Sequence, residues 1–531
     1  MSALTGWTQK KYLLLLIVAI AAFMRLYALP SLPPGLFSDE AVNGVNTLQV
    51  INDGTLKVFY PENFGREGLF INIQAVFVWF FGTEAWALRI PSAFFGIFTV
   101  LGIYFLGKEL FWKNAYTQST EQNSYSAYVP AATTIGLLAA FFLATSFWHV
   151  NFSRIGFRAI MAPFWSVWGF YFILLGWRFF EENKGKLARM GIALLGGIIF
   201  GLGLHSYISY RVMPALLALT AFLCLMYLLR AQRFSSGAFA YWCIVGLGVL
   251  IAALPLIFYF VETPADFFGR TSQISVFSSP SLFNDLAGNI LKTAGMFNFA
   301  GDFNERHNLR YPALPWLAMP ELQFLVGLSF LVGIWRGLRN IFHNPLRIFD
   351  GGKFAYFFLF AWAILASLPV VISNEGLPHA LRAILMLPPV MLFSGLGAAT
   401  AWRWVSNKLE ASSWDGTKNK RIKIDKGIAT ALLFLIAFEG YVNYFIFWAK
   451  SPETKAAFNY DVNELAYELR ALPPQLPKYV IVSPGNMGVN IVQFLTDTYT
   501  PQDQKTKNFR YLSPEEAATM GEPDGIVVRI P

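Results

Sequence analysis

Apolar runs of 18 or more residues recur along nearly the whole chain, and no other feature of the sequence restricts its fold as much. Each run is long enough to cross a hydrocarbon layer about 30 Å thick as an α-helix. Lipid offers no partner to a bare N–H or C=O, so the helix, which satisfies its own backbone, is the expected state. Spans are expected at about 12–29, 87–106, 131–149, 158–177, 190–206, 211–229, 238–260, 320–338, 354–372, 380–402 and 427–448, eleven crossings in all. Composition agrees: 55% of the 531 residues are hydrophobic and only 14% charged, more apolar material than a soluble core uses. The expected class is an all-α polytopic membrane protein.

A net charge of +9 taken alone would suit nucleic acid. The Lys and Arg residues, however, gather in short loops on alternate sides of the spans, which is a topology signal, and no nucleic-acid partner is expected. It sets the N-terminus in the cytoplasm of a bacterial-type plasma membrane. The only two cysteines, Cys224 and Cys243, lie inside apolar runs and give no disulfide framework. Lys10 and Lys11 before the run 12–29 resemble a signal peptide, but no small-x-small cleavage site follows, and the run is read as the first span.

This topology leaves three large segments outside: roughly 30–86, roughly 261–319, and the chain from about 450. Within the first, Gly68 to Gly82 is apolar but short for a crossing and reads as an interfacial helix. The tail is less hydrophobic. It alternates helix-like stretches (462–472, 489–496) with strand-like ones (479–482, 525–530), which predicts a small extracytoplasmic α/β domain over 450–531 beside a transmembrane domain over 1–449. Its Pro484-Gly485-Asn486-Met487-Gly488 turn lacks a full glycine fingerprint for nucleotide phosphate.

Chemistry is expected where polar residues break this apolar pattern. Asp39 and Glu40 follow the first span and the rigid Pro33-Pro34-Gly35 turn, which holds two carboxylates near the lipid surface. Asp39 suits a general base taking a proton from an acceptor hydroxyl, with Glu40 orienting it; a solvated pair is the plain alternative. In Gly65-Arg66-Glu67, Arg66 suits a phosphate and Glu67 a metal or the acceptor; a surface ion pair would explain them equally. Arg25, Arg89, Arg154, Arg158, Arg211 and Arg382 fall at outer span ends, with His149, His205 and His379 nearby, on the side where cations are disfavoured. Each alone can snorkel to headgroups, but together they suit a lipid phosphate. His379 and Arg382, three apart in Leu377-Pro378-His379-Ala380-Leu381-Arg382, share a face and can reach one phosphate. Finally, 301–308 (Gly-Asp-Phe-Asn-Glu-Arg-His-Asn) is densely polar; Asp302 and His307 are candidates for the acceptor site or for a divalent metal, although their spacing matches no metal motif.

Arg25, Pro33-Pro34-Gly35-Leu36-Phe37-Ser38-Asp39-Glu40-Ala41, the segment 63–70 (NFGREGLF), the segment 81–111 and 378–383 (PHALRA) together resemble the GT-C superfamily of membrane glycosyltransferases, within it the protein O-mannosyltransferase and lipid A aminoarabinose transferase branch. The resemblance covers about 400 residues by our reading and leaves the tail aside. It implies an inverting transfer of a sugar from a polyprenyl-phosphate donor, with the first acid of the loop, Asp39, as base. The acceptor would be a lipid, glycan or protein hydroxyl. This sequence departs from the aminoarabinose branch at Val42, where that branch has Arg, and at Gly65-Arg66-Glu67, which aligns with its Glu-Lys-Pro element; the His-Pro-Pro element of the mannosylating branch is missing. A transporter or flippase of lipid-linked sugars is the rival from another class. It would set ionisable residues at the bilayer midplane in paired repeats, which the sequence does not show. A polysaccharide or glycan ligase of the same superfamily would use the same residues.

Overall fold

The computed structural model describes residues 2–112, 131–273, 275–309, 323–342, 353–374, 376–411, 418–521 and 524–530. Residues 274 and 310–322, which include the first positions of the span expected at 320–338 and part of the second outer segment, lie outside these. Among the described residues nine helices are long and apolar enough to cross a membrane: Ala85–Leu110, Arg158–Glu181, Lys186–His205, Ile208–Arg230, Ser236–Glu262, Leu325–Phe342, Phe354–Val371, Ile384–Lys408 and Gly427–Trp448. The spans expected at 12–29 and 131–149 correspond to helix α1 (Ser2–Leu26) and to a shorter helix, Ala132–Thr145.

The second of these differs from its expected length for a local reason. Ser146 leaves helical geometry at φ −60°, ψ 121°, and its hydroxyl accepts from the N–H of His149 at 3.5 Å, starting a separate short helix, Phe147–Phe152. The run reads as continuous apolar sequence, yet the backbone breaks inside it.

Helices pack where small residues let backbones approach. Lys186–His205 lies against Ser236–Glu262 so closely that a Cβ added at Gly197 would sit 2.2 Å from the carbonyl oxygen of Val245. The core of the bundle is aliphatic and aromatic, with Trp148, Trp362 and Trp448 fully buried.

Between α1 and the first long span lie three elements that build the site. Helix α2 (Ser38–Asp53) begins with Phe37 in extended geometry and ends at Gly54, φ +66°. A two-residue hairpin follows, β1 (Phe59–Tyr60) antiparallel to β2 (Arg66–Glu67). Helix α3 (Leu69–Phe81) is 13 residues, about 20 Å, shorter than a hydrocarbon core. It buries Phe70, Ile71, Ala75 and Val78 and exposes Val76, Trp79, Phe80 and Phe81.

The tail holds helix Tyr460–Ala471, helix Gly488–Leu495, and a parallel three-stranded sheet in the order β4-β3-β5, formed by β3 (Lys478–Ile481), β4 (Phe509–Leu512) and β5 (Ile526–Arg529). Strand β4 falls outside the strand-like stretches expected from the sequence. The tail does not stand apart: Ala41, Val45 and Leu48 of α2 share one core with Val462, Ala466, Val480, Ile491 and Phe494.

Candidate functional site

Successive residues of a helix point about 100° apart, so α2 sends its two acids in different directions. Glu40 turns into the bundle and is fully buried. Its Oε1 accepts from Arg89 Nε at 2.9 Å and from the Gly156 N–H at 2.6 Å, and its Oε2 accepts from Arg89 Nη2 at 3.0 Å and the Phe37 N–H at 3.1 Å. Arg89 also donates to the carbonyls of Pro33 and Gly35. Glu40 therefore ties the Pro-Pro-Gly turn to the bundle, with both carboxylate oxygens taken up by Arg89 and two backbone N–H groups.

Asp39 instead remains 40% exposed. Its Oδ1 accepts from Asn63 Nδ2 at 2.9 Å, and its Oδ2 lies 4.0 Å from Arg306 Nη1. The guanidinium of Arg306 stacks over Phe37 at 4.0 Å, and its Nε donates to Asn304 Oδ1. Burial pulls the Arg306 pKa below the usual arginine value, opposed by the charges of Asp39 and Asp302.

Asp39 lines a cavity of about 730 Å³, and so do Arg66, Glu67, Arg158, Arg211, Arg306, His307, His379 and Arg382. These residues come from the hairpin, from the starts of Arg158–Glu181 and Ile208–Arg230, and from the loops 301–308 and 376–383. One end of the bundle thus gathers residues more than 340 positions apart. Arg66 donates to Asn43 Oδ1 and Asn46 Oδ1, both at 2.6 Å, and is almost fully buried. Burial lowers its pKa to about 10, with the Arg158 charge adding to the effect. Arg158 pairs with Glu67 at 2.8 Å and donates to the Gly65 carbonyl. Arg211 donates to the Phe267 carbonyl at 2.6 Å and stacks on that ring at 4.2 Å; Arg382 reaches Ser373 Oγ. An apolar wall completes the cavity with Ile208, Val212, Phe268, Phe277, Pro369 and Ile372.

Asp302 stands behind this lining. Its Oδ1 accepts from the Asn304 N–H, and its Oδ2 from the Ala380 N–H at 2.8 Å and His307 Nδ1 at 3.0 Å. One carboxylate thus folds the loop 301–308 and fastens it to the loop 376–383. Burial would raise the pKa of Asp302, but the His307 hydrogen bond, the two histidine charges and the Ala380 N–H outweigh it and hold it below the ordinary carboxylate value. Burial first, then the charges of His307 and Arg382, press His379 down to about 3. The rings of His307 and His379 lie 5.6 Å apart, and His307 Nε2 and His379 Nδ1 are buried without a hydrogen bond. Ligand atoms of Asp302, His307 and His379 come within 4.8 Å of one another, the one such group among the described residues.

Arg25 does not line the cavity. It is fully buried, donating to the carbonyls of Ala21, Leu143 and Ala144, to Ser153 Oγ and toward His149 Nδ1. It satisfies the carbonyls that the break at Ser146 leaves open, which is why a cation sits there. Arg306 and Asn63 lay in motifs the sequence flagged, without being singled out there.

The tail touches the segment that carries Asp39. Asn463, buried, accepts from the Leu36 N–H at 2.7 Å and donates to the Leu36 carbonyl at 3.2 Å; Asn459 Nδ2 donates to Ser38 Oγ.

No protein-family model and no curated protein matches the sequence. Solved structures do. The oligosaccharyltransferase of Archaeoglobus fulgidus, tethered to an acceptor peptide containing the NVT sequon, superposes with a TM-score of 0.52 at 14% identity over 92% of this chain. The chain spans 63% of that protein's length. ArnT of Cupriavidus metallidurans, bound to undecaprenyl phosphate, superposes with a TM-score of 0.51 at 13% identity, over 99% of this chain and 90% of that one. The fold is that of the GT-C membrane glycosyltransferases.

Proposed function

We propose that this chain, an integral membrane protein with the GT-C fold, transfers a sugar from a polyprenyl-phosphate donor to an acceptor hydroxyl, with inversion at the anomeric carbon. The observation that carries the reading is the exposed carboxylate of Asp39 in a cavity lined both by guanidinium groups and by apolar residues. Undecaprenyl phosphate in the ArnT structure supports the donor class. The isoprenoid tail lies along the apolar wall; the phosphate meets the arginines.

Asp39 takes the proton of the acceptor hydroxyl as its oxygen forms the bond to the anomeric carbon. The bond from that carbon to the phosphate oxygen breaks, and polyprenyl phosphate departs carrying one more negative charge. Arg382, Arg211, Arg158 and Arg66 are preset around that charge, so little reorganisation is needed as it develops, and His379 beside them stays uncharged. Glu67 fixes the orientation of Arg158.

The residues present also fit a divalent metal ion. His307 and His379 each aim a buried, unbonded ring nitrogen, and Asp302 bonded to His307 Nδ1 fixes the tautomer that leaves Nε2 as the ligand atom. Such an ion would neutralise phosphate charge beside the arginines.

The site faces the extracytoplasmic side in this reading, with the N-terminus inside. Support comes from the opposite helix ends, where Lys108, Arg178, Lys184, Lys186, Arg189, Arg230, Arg233, Arg336, Arg339 and Lys408 are found. The tail, as a small α/β domain, lies on the site's side.

Asp39→Asn tests the assignment. Purified protein with a labelled polyprenyl-phosphate sugar should lose transfer while keeping its melting temperature and donor binding. Normal turnover in that variant refutes the base.

A further inference from the structure

The loop joining β1 to β2 carries three consecutive residues with positive φ: Asn63 at 51°, Phe64 at 66° and Gly65 at 83°. Such geometry suits Gly, and it is uncommon in other residues, where Asn is among the better tolerated. Two of these three positions carry a side chain, so the left-handed run has a cost, and held backbone strain of this kind concentrates at functional sites. At Gly65 the backbone is left-handed and a Cβ would lie 2.7 Å from the ring of Phe59, so glycine suits it best. The run folds the loop back so that the Asn63 amide meets Asp39 at 2.9 Å.

Polarity determines which amide atom makes that contact. An ionised carboxylate only accepts, so the NH2 of Asn63 faces Oδ1. With Oδ1 taken, the carboxylate cannot turn freely about its Cβ–Cγ bond, and Oδ2 is the oxygen left to the cavity, with Arg306 4.0 Å away.

We propose that Asn63 is a positioning residue: it clamps Oδ1 so that Oδ2 of Asp39 is presented to the acceptor hydroxyl. The inference rests on Asp39 being the base. It goes further by giving one oxygen the proton and giving the strained hairpin a reason to exist.

Asn63 could instead be present only because it tolerates positive φ, and substitution separates the two roles. Asn63→Gly suits the backbone better than Asn but removes the amide. Asn63→Asp keeps the shape and turns a donor into a like charge beside Asp39. The full-length protein, in detergent or nanodiscs, is assayed with labelled polyprenyl-phosphate sugar and its acceptor, separating kcat from KM for the donor. Both variants should keep the melting temperature and donor KM, with kcat reduced about ten- to a hundred-fold, the scale of a misoriented catalytic group. Wild-type kcat in Asn63→Gly overturns the clamp. So does a parallel change in KM and melting temperature, which marks general damage. Asp39→Asn run alongside tells the failures apart: if it is inactive while Asn63→Gly is fully active, only the clamp falls; if it turns over, the base assignment falls first.

Discussion

Glu40 stands next to the proposed base, yet its removal should be felt as lost stability before lost chemistry. Glu40→Ala deletes the acceptor of four donors and leaves the Arg89 guanidinium, itself fully buried, with only the carbonyls of Pro33 and Gly35. Stripping one partner from a buried ion pair costs about 3–5 kcal/mol, because the remaining charge has no compensation. Much of that cost belongs to Arg89, so Glu40→Ala combined with Arg89→Met should recover a large part of it; the shortfall from additivity is the coupling between the two side chains. The assay is thermal unfolding in detergent at fixed protein and lipid content, with transfer measured well below each midpoint. The single variant should melt many degrees lower, the double variant in between, and the single variant should retain turnover in whatever fraction stays folded. A Glu40→Ala protein with an unchanged midpoint and no activity would refute this account and return Glu40 to the chemistry.

Four further outcomes follow. Arg382→Ala should raise the donor KM more than it lowers kcat, and unchanged donor affinity by equilibrium binding counts against Arg382 as a phosphate ligand. His307→Ala should abolish binding of an added divalent cation followed by calorimetry, and dialysis against a chelator should slow transfer in the parent protein; parent protein that binds no cation removes the metal from the reading. His379, pressed down to about 3 by burial, takes no proton in the folded chain, whereas an unfolded histidine titrates near 6.5. Between those values the unfolded state binds the extra proton, so stability falls as pH drops from about 6.5 toward 3, and the lowered Asp302 adds to the fall at the acid end. His379→Ala should flatten that slope in melting temperature against pH, and an identical slope refutes it. Asn463→Ala, outside the cavity lining, should reduce kcat with donor KM unchanged, and full activity would show that the Asp39 loop holds itself.

The apolar runs made the helical bundle legible, because each span is set by length and composition, quantities a sequence displays directly. The breaks were not legible: Ser146 interrupts a run of uniform hydropathy through one hydroxyl and one backbone turn, and that break is what draws Arg25 into the bundle as a cap for open carbonyls. The candidate site was half readable. Asp39, Arg66, Arg158, Arg211, His307, His379 and Arg382 stood out as polar residues in apolar surroundings, and all line the one cavity. Glu40 shows what is missing from such a reading. Had helix α2 been recognised, its 100° step would have separated the two acids, but a polar stretch with Gly44 and three asparagines carries a weak helical signal. Arg306 and Asn63 act through a stacked ring and a left-handed turn, neither of which has a sequence signature of its own.

The grip of Asn463 on Leu36 joins positions 427 residues apart. At about 5–20 residues per second, a ribosome needs roughly 20 to 90 seconds to travel that far. During that interval the peptide bearing Asp39 is held by Arg89 and Gly156 but lacks its partners in the tail. If the proposed transfer depends on this grip, it would begin only once the tail has closed over the segment that carries Asp39.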